Sequence, residues 1–107
     1  MSKPIKRYQV IIQQEAIDEL DAIYRFIFED SPAHGRSFVK KLKKAVLSLK
    51  TFPRRGSRAT LLEEGTPNAE IRFIEYKGYL IFYTIEGNKV IILHITGPGQ
   101  NWNQFFT

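Results

Sequence analysis

The apolar positions of this chain change period about midway, from helical spacing to strand-like runs. In the first half, apolar residues recur at intervals of three and four, which predicts two amphipathic helices, 15–29 and 32–51. Ser31 suits an N-cap and Pro32 the first position of the second helix, while Pro53 ends it. Because only one or two residues separate the helices, we expect them to form an antiparallel hairpin.

Strand patterns flank this hairpin. The β-branched and aromatic run at 8–12 predicts a short N-terminal strand. Three more strands are predicted at 70–76, 79–85 and 90–95, and the last two are nearly continuous apolar runs, typical of central strands. Short glycine-containing turns join these three strands as an antiparallel meander. The element order therefore predicts an α+β fold, with an N-terminal strand and a helical hairpin packed on a sheet that contains a C-terminal three-stranded antiparallel meander.

Two segments have the composition of loops. Segment 52–68 is rich in Pro, Gly, Ser and Thr, with one candidate short strand at 60–62, and segment 96–107 is a loop-like tail. The tail carries three large aromatic residues, Trp102, Phe105 and Phe106. Since no repeat, low-complexity tract or linker interrupts the chain, residues 1–107 are predicted to form a single domain.

Composition narrows the classes of function. The 107 residues include no cysteine and two histidines, His34 and His94, so we expect no zinc site, and no glycine-rich phosphate-binding motif is present. We therefore predict no metal and no cofactor. The N-terminus lacks the apolar core of a signal peptide, and no apolar stretch approaches the roughly 18 residues that span a bilayer. These features predict a cytoplasmic protein without membrane contact.

The charge of the chain, +5 overall, is segregated along it. Six acidic residues and one arginine occupy 15–30, whereas nine basic and no acidic residues occupy 31–62. The candidate contacts to an acidic target or partner are basic side chains of a loop, a strand start and a turn: Arg54, Arg55, Arg58, Arg72 and Lys77. The structural alternative for the loop arginines is a solvated surface that pairs with Glu63 or Glu64.

Three stretches carry a resemblance to a known family. AIDELDAIYRFIFEDSP is similar to the first helix, FVKKLKKAVLSLKTFPRRGSR to the second helix and its loop, and IRFIEYKGYLIFYTIEGNKVIILHI to the strands of the RelE/ParE toxins of bacterial type II toxin–antitoxin systems. The resemblance covers 8–95 and is closer to the ParE branch, which has the long hairpin and an arginine before a Tyr-x-x-x-Tyr strand. It implies a plasmid-stabilisation toxin that forms a hetero-oligomer with a cognate antitoxin.

The resemblance leaves three hypotheses about the activity of the chain. A ParE-like toxin inhibits growth by binding a cellular target, DNA gyrase, without catalysis. A RelE-like toxin is a metal-independent, ribosome-dependent mRNA endonuclease, which would place Arg55, Arg72 and His94 at the scissile phosphate. A degenerate member binds only the antitoxin. No arginine or lysine follows Lys89, which favours binding over nuclease activity. Arg72 is the leading single candidate for target contact or phosphate stabilisation.

Overall fold

The computed structural model describes residues 7–59 and 70–98. The helices and strands are β1 (Gln9–Ile12), α1 (Gln14–Asp30), α2 (Pro32–Leu47), β2 (Ser57–Arg58), β3 (Ile71–Tyr76), β4 (Tyr79–Glu86) and β5 (Lys89–Thr96). Two single-turn 3₁₀ helices, Ser48–Lys50 and Pro53–Arg55, lie between α2 and β2. The predicted α+β fold is therefore confirmed, with two helices packed on a sheet.

The sheet is mixed, with the strand order β1-β5-β4-β3-β2. β3, β4 and β5 form the expected antiparallel meander. β1 pairs in parallel with β5, so that Gln9 lies opposite Lys89. At the other edge, β2 pairs antiparallel with β3, with Arg58 opposite Arg72. The two-residue strand β2 lies in the segment that was expected to be mostly loop.

The core lies between the helical hairpin and one face of the sheet. Alternate residues of β4, Ile81 and Tyr83, point to this face and are fully buried. Leu42 reaches the same cluster from the second half of α2, and Leu49 reaches it from the 3₁₀ turn that follows. Burying a large aliphatic or aromatic side chain contributes about 1.5–3 kcal/mol, so this cluster fixes the helices to the sheet.

The connection between the helices is a single residue, Ser31. Its hydroxyl accepts a 3.4 Å hydrogen bond from the backbone N–H of His34, as an N-cap does. One turn into α2, buried Gly35 packs directly on the backbone of Phe28 in α1. The close approach at this glycine explains how so short a connection closes the hairpin.

Three expectations for chain segments differ from the structure or fall outside it. α2 ends at Leu47 rather than near Thr51, and a 3₁₀ turn follows. The hydroxyl of Ser48 donates a 2.6 Å hydrogen bond to the carbonyl of Ala45, and this competing bond accompanies the tighter turn. The candidate strand at 60–62 and the aromatic tail beyond 98 lie outside the described residues. Within the described ranges, no helix is long and apolar enough to cross a membrane.

Candidate functional site

The residues 52–58, here called the arginine loop, cross one end of the sheet. On the β1 side, the backbone N–H of Tyr8 donates a 2.7 Å hydrogen bond to the carbonyl of Lys50, just before the loop. On the β3 side, the backbone N–H of Ala59 donates a 2.8 Å bond to the carbonyl of Ile71, just after it. The loop is therefore held at both ends by strands on opposite sides of the sheet.

A buried tyrosine anchors the middle of the arginine loop. Tyr83 of β4 is 0% exposed, and its hydroxyl donates a 2.5 Å hydrogen bond to the carbonyl of Pro53. The same oxygen accepts a 3.1 Å bond from the backbone N–H of Gly56. A Cβ at position 56 would collide with this hydroxyl, so glycine allows the close approach. One side chain of the central strand thus fixes the loop at two points.

Arg72 holds the loop from the neighbouring strand. Its side chain is only 15% exposed, and its Nε lies 2.5 Å from Oε2 of Glu70. Its Nη1 donates hydrogen bonds to the carbonyls of Arg54, at 3.1 Å, and Gly56, at 2.7 Å. Charge-assisted bonds of this kind are about twice as strong as neutral ones. In this conformation Arg72 positions the loop, and its contact with a target stays a prediction.

The other three arginines of the candidate site are exposed. The Nη1 of Arg54 donates a 3.3 Å hydrogen bond to the hydroxyl of Tyr8, and its Nε lies 3.6 Å from Glu70. Arg55 donates from Nη2 to the hydroxyl of Ser48 at 2.6 Å. Arg58 lies on the edge strand β2. The loop therefore presents guanidinium groups to solvent, and neutral hydroxyls orient two of them.

Lys77 and His94 lie away from the arginine loop. Lys77 occupies the β3–β4 turn, at the opposite end of β3 from Arg72, with a left-handed φ of 49°. His94 lies in β5, where its Nδ1 is 3.1 Å from Oε2 of Glu19 in α1. The other carboxylate oxygen of Glu19 accepts a 2.9 Å bond from the backbone N–H of Ile95. The structure brings the four arginines together and leaves Lys77 and His94 outside their cluster.

Several residues of the site escaped prediction from the sequence. Tyr8, Ser48, Glu70 and the hydroxyl of Tyr83 orient or anchor the loop from positions far apart in the chain. Phe52, at the start of the loop, is 65% exposed. The Pro-x-x-Gly spacing predicts a loop here, but no sequence pattern predicts which residues contact this loop. Among the described residues, no three potential metal ligands lie together.

Burial raises the pKa of Tyr83 above its usual value of 10.0, although the Gly56 N–H and Arg72 oppose the shift. Because the pKa is higher in the folded state, the stability that Tyr83 contributes is complete below pH 10 and is lost as the pH rises through the folded pKa. We therefore expect the unfolding free energy to fall more steeply above pH 10 in the wild type than in Tyr83→Phe. Urea unfolding across this pH range measures the difference, and equal slopes would contradict the assignment.

Comparison with known proteins identifies the family of this chain and a solved structure with a similar fold. The family model for the ParE toxin of the type II toxin–antitoxin system parDE matches residues 10–102. A solved structure described as the chromosomal ParDE TA system from P. aeruginosa aligns with a TM-score of 0.67 and 18% identity, covering 87% of this chain and 98% of that one. At this identity, the likeness shows the fold alone. No curated protein sequence matches. From the family match over most of its length, the chain belongs to the ParE toxin family of type II toxin–antitoxin systems.

Proposed function

We propose that this chain is a growth-inhibiting toxin that binds DNA gyrase and has no catalytic activity of its own. Membership of the ParE family implies an antitoxin partner, as the resemblance predicted. The choice of gyrase comes from the ParE branch, and plasmid stabilisation is proposed on the same ground. The main support for binding over ribonuclease activity is the separation of His94 from the arginine cluster.

Cleavage of RNA without a metal needs a base, an acid and a phosphate-stabilising cation around one phosphate. Here the expected groups contact different elements: His94 contacts Glu19 in α1, whereas Arg72 contacts Glu70 and the loop carbonyls. β4 lies between the strands that carry them, which separates their backbones by about 10 Å. Arg55 is bonded to Ser48. This arrangement supports a protein that acts by contact.

The arginine loop is the proposed contact surface for the target. It presents Arg54, Arg55 and Arg58 on a backbone that Tyr83 and Arg72 hold in place. Because the loop is already ordered, binding costs less conformational entropy than it would for a mobile loop. Charge complementarity with an acidic partner speeds association and selects the partner. Lys77, at the other end of β3, is proposed as a separate contact to target or antitoxin.

A His94→Gln variant separates the two activities. Glutamine retains a polar group beside Glu19, so we expect the fold to be preserved. If the toxin acts by contact, induced expression of His94→Gln arrests growth as the wild type does, with a DNA-damage response and intact transcripts. Growth curves, damage reporters and transcript integrity in the same cultures provide the measurement. As a matched comparison, Arg54→Glu/Arg55→Glu reverses the charge of the loop and is expected to abolish the arrest.

Two other outcomes would contradict the gyrase proposal. Ribosome-dependent transcript cleavage by the wild type, lost in His94→Gln, would establish the RelE-like endonuclease instead. Normal growth with a folded wild-type chain that still binds its antitoxin would leave a degenerate member. Circular dichroism of each purified variant verifies that a loss of arrest is not a loss of folding.

A further inference from the structure

The arginine loop combines an outward aromatic ring with guanidinium groups. Phe52 is 65% exposed, although it directly precedes the buried Pro53. Arg54 and Arg55 follow within three residues, and both are exposed. A single exposed phenylalanine is ordinary on a protein surface. The combination of an exposed ring with adjacent arginines is what proteins use to hold single-stranded nucleic acid. We propose that the arginine loop binds an unstacked nucleic-acid strand, with Phe52 as the stacking platform.

The ring of Phe52 is attached to a fixed backbone. The carbonyl of Pro53, the next residue, accepts the 2.5 Å hydrogen bond from the buried Tyr83 hydroxyl. The carbonyl of Phe52 itself accepts a 3.3 Å bond from the backbone N–H of Arg55, which closes the 3₁₀ turn. With Pro53 buried and this turn closed, the backbone that carries the ring is already ordered. A platform on an ordered backbone loses less entropy when a base stacks on it.

The charge around the ring suits a phosphodiester backbone. Arg54 and Arg72 both approach the carboxylate of Glu70, whereas the described partner of Arg55 is the neutral hydroxyl of Ser48. Lys50, two residues before the loop, is also exposed. Among the described contacts of Arg54, Arg55 and Arg72, the three guanidinium groups therefore meet a single carboxylate, that of Glu70. Phosphates that pass over the loop would meet the exposed guanidinium groups of Arg54 and Arg55.

An exposed ring favours a single strand over a duplex. The bases of a duplex are stacked on one another, so their faces are closed to a side chain, whereas an unstacked base offers a face to Phe52. Arginine guanidinium groups stack on bases in the same way and also bind phosphate. The inference refines the proposed function, because it assigns the loop to a nucleic-acid strand within the gyrase–DNA complex. The binding itself belongs to the toxin and is measured without gyrase.

Fluorescence anisotropy of the full chain with labelled dT₂₀, U₂₀ and a duplex of equal length tests the inference. We expect both single strands to bind more tightly than the duplex. The ratio of the dissociation constants for dT₂₀ and U₂₀ shows whether DNA or RNA is preferred. Phe52→Ala is expected to weaken single-strand binding about 5- to 150-fold, the range that base–aromatic stacking gives. Phe52→Trp should retain binding. Arg55→Ala should reduce the slope of log K against log salt by about 0.7.

The matched control is Phe26→Ala. Phe26 is 76% exposed on the acidic helix α1, so this substitution removes a ring at least as exposed as Phe52 from a surface without the arginine cluster. It is expected to leave binding unchanged. Phe52→Leu, which retains apolar bulk but no ring, guards against a folding defect in the alanine variant and should lose binding as that variant does. Duplex binding as tight as that of the single strands would overturn the inference. An effect of Phe52→Ala no larger than that of Phe26→Ala, or no binding at low salt, would also do so.

Discussion

Gly56→Ala is expected to destabilise the protein and to displace the arginine loop. The new Cβ would collide with the hydroxyl of Tyr83 and lie 2.8 Å from the backbone carbonyl of Phe73. Neither atom moves easily, because one belongs to a fully buried ring and the other to the backbone of β3. Overpacking costs about 1–3 kcal/mol, and a displaced Tyr83 hydroxyl bond adds to it, so we expect a loss of about 2–4 kcal/mol. Urea unfolding measures this loss.

The cause is steric, since Gly56 has an ordinary φ of −73° that alanine adopts without strain. Ser57→Ala, at the next and exposed position, is the matched control and should change stability by no more than about 0.5 kcal/mol. In a Tyr83→Phe background, Gly56→Ala should cost less, because one of the two clashing oxygens is gone. A Gly56→Ala variant as stable as Ser57→Ala would refute the anchoring of the loop by Tyr83.

Gly35→Ala is expected to reverse the usual effect of this substitution in a helix. Alanine normally stabilises a helix interior by about 1 kcal/mol relative to glycine. At position 35, however, the Cβ would lie 2.9 Å from the Cα and 3.0 Å from the backbone nitrogen of Phe28. Both are backbone atoms of α1, so the helices must separate. We expect a net destabilisation of about 1–3 kcal/mol, measured by thermal unfolding.

Ser37→Ala provides the comparison on the same helix. Ser37 is exposed in α2, and its replacement should stabilise the protein slightly, by about 0.5 kcal/mol, through helix propensity alone. The two alanine variants should therefore shift the melting temperature in opposite directions. If Gly35→Ala melts at or above the temperature of the wild type, the close helix contact does not hold in solution.

The elements of the fold were predictable because each has a local signature. The apolar stripes predicted both helices, and the continuous apolar runs predicted β4 and β5. The parallel pairing of β1 with β5 was not predictable in the same way, because it joins Gln9 to Lys89 with no turn sequence to connect them. The apolar pattern predicted the end of α2 too late in the chain. The Ser48 hydroxyl bond that accompanies the 3₁₀ turn has no signature in that pattern.

The charged residues of the candidate site were predictable from the sequence, but the contacts that hold the loop in place were not. The cluster of Arg54, Arg55 and Arg58 is visible in the sequence, and the structure gathers these residues with Arg72 at one end of the sheet. An apolar strand predicts a buried ring for Tyr83, but it carries no information on where the hydroxyl bonds 30 positions away. The contact between His94 and Glu19 joins residues 75 positions apart, and no sequence pattern predicts it either. Long-range polar contacts depend on the assembled fold.

Inhibition of gyrase by this chain is tested most directly in a supercoiling assay with purified gyrase, relaxed plasmid and the folded chain. We predict that the toxin inhibits supercoiling, with Arg54→Glu/Arg55→Glu inactive and His94→Gln as potent as the wild type. Addition of the cognate antitoxin should restore supercoiling. Supercoiling at the uninhibited rate in an excess of folded toxin would contradict the proposal that this chain acts by binding gyrase.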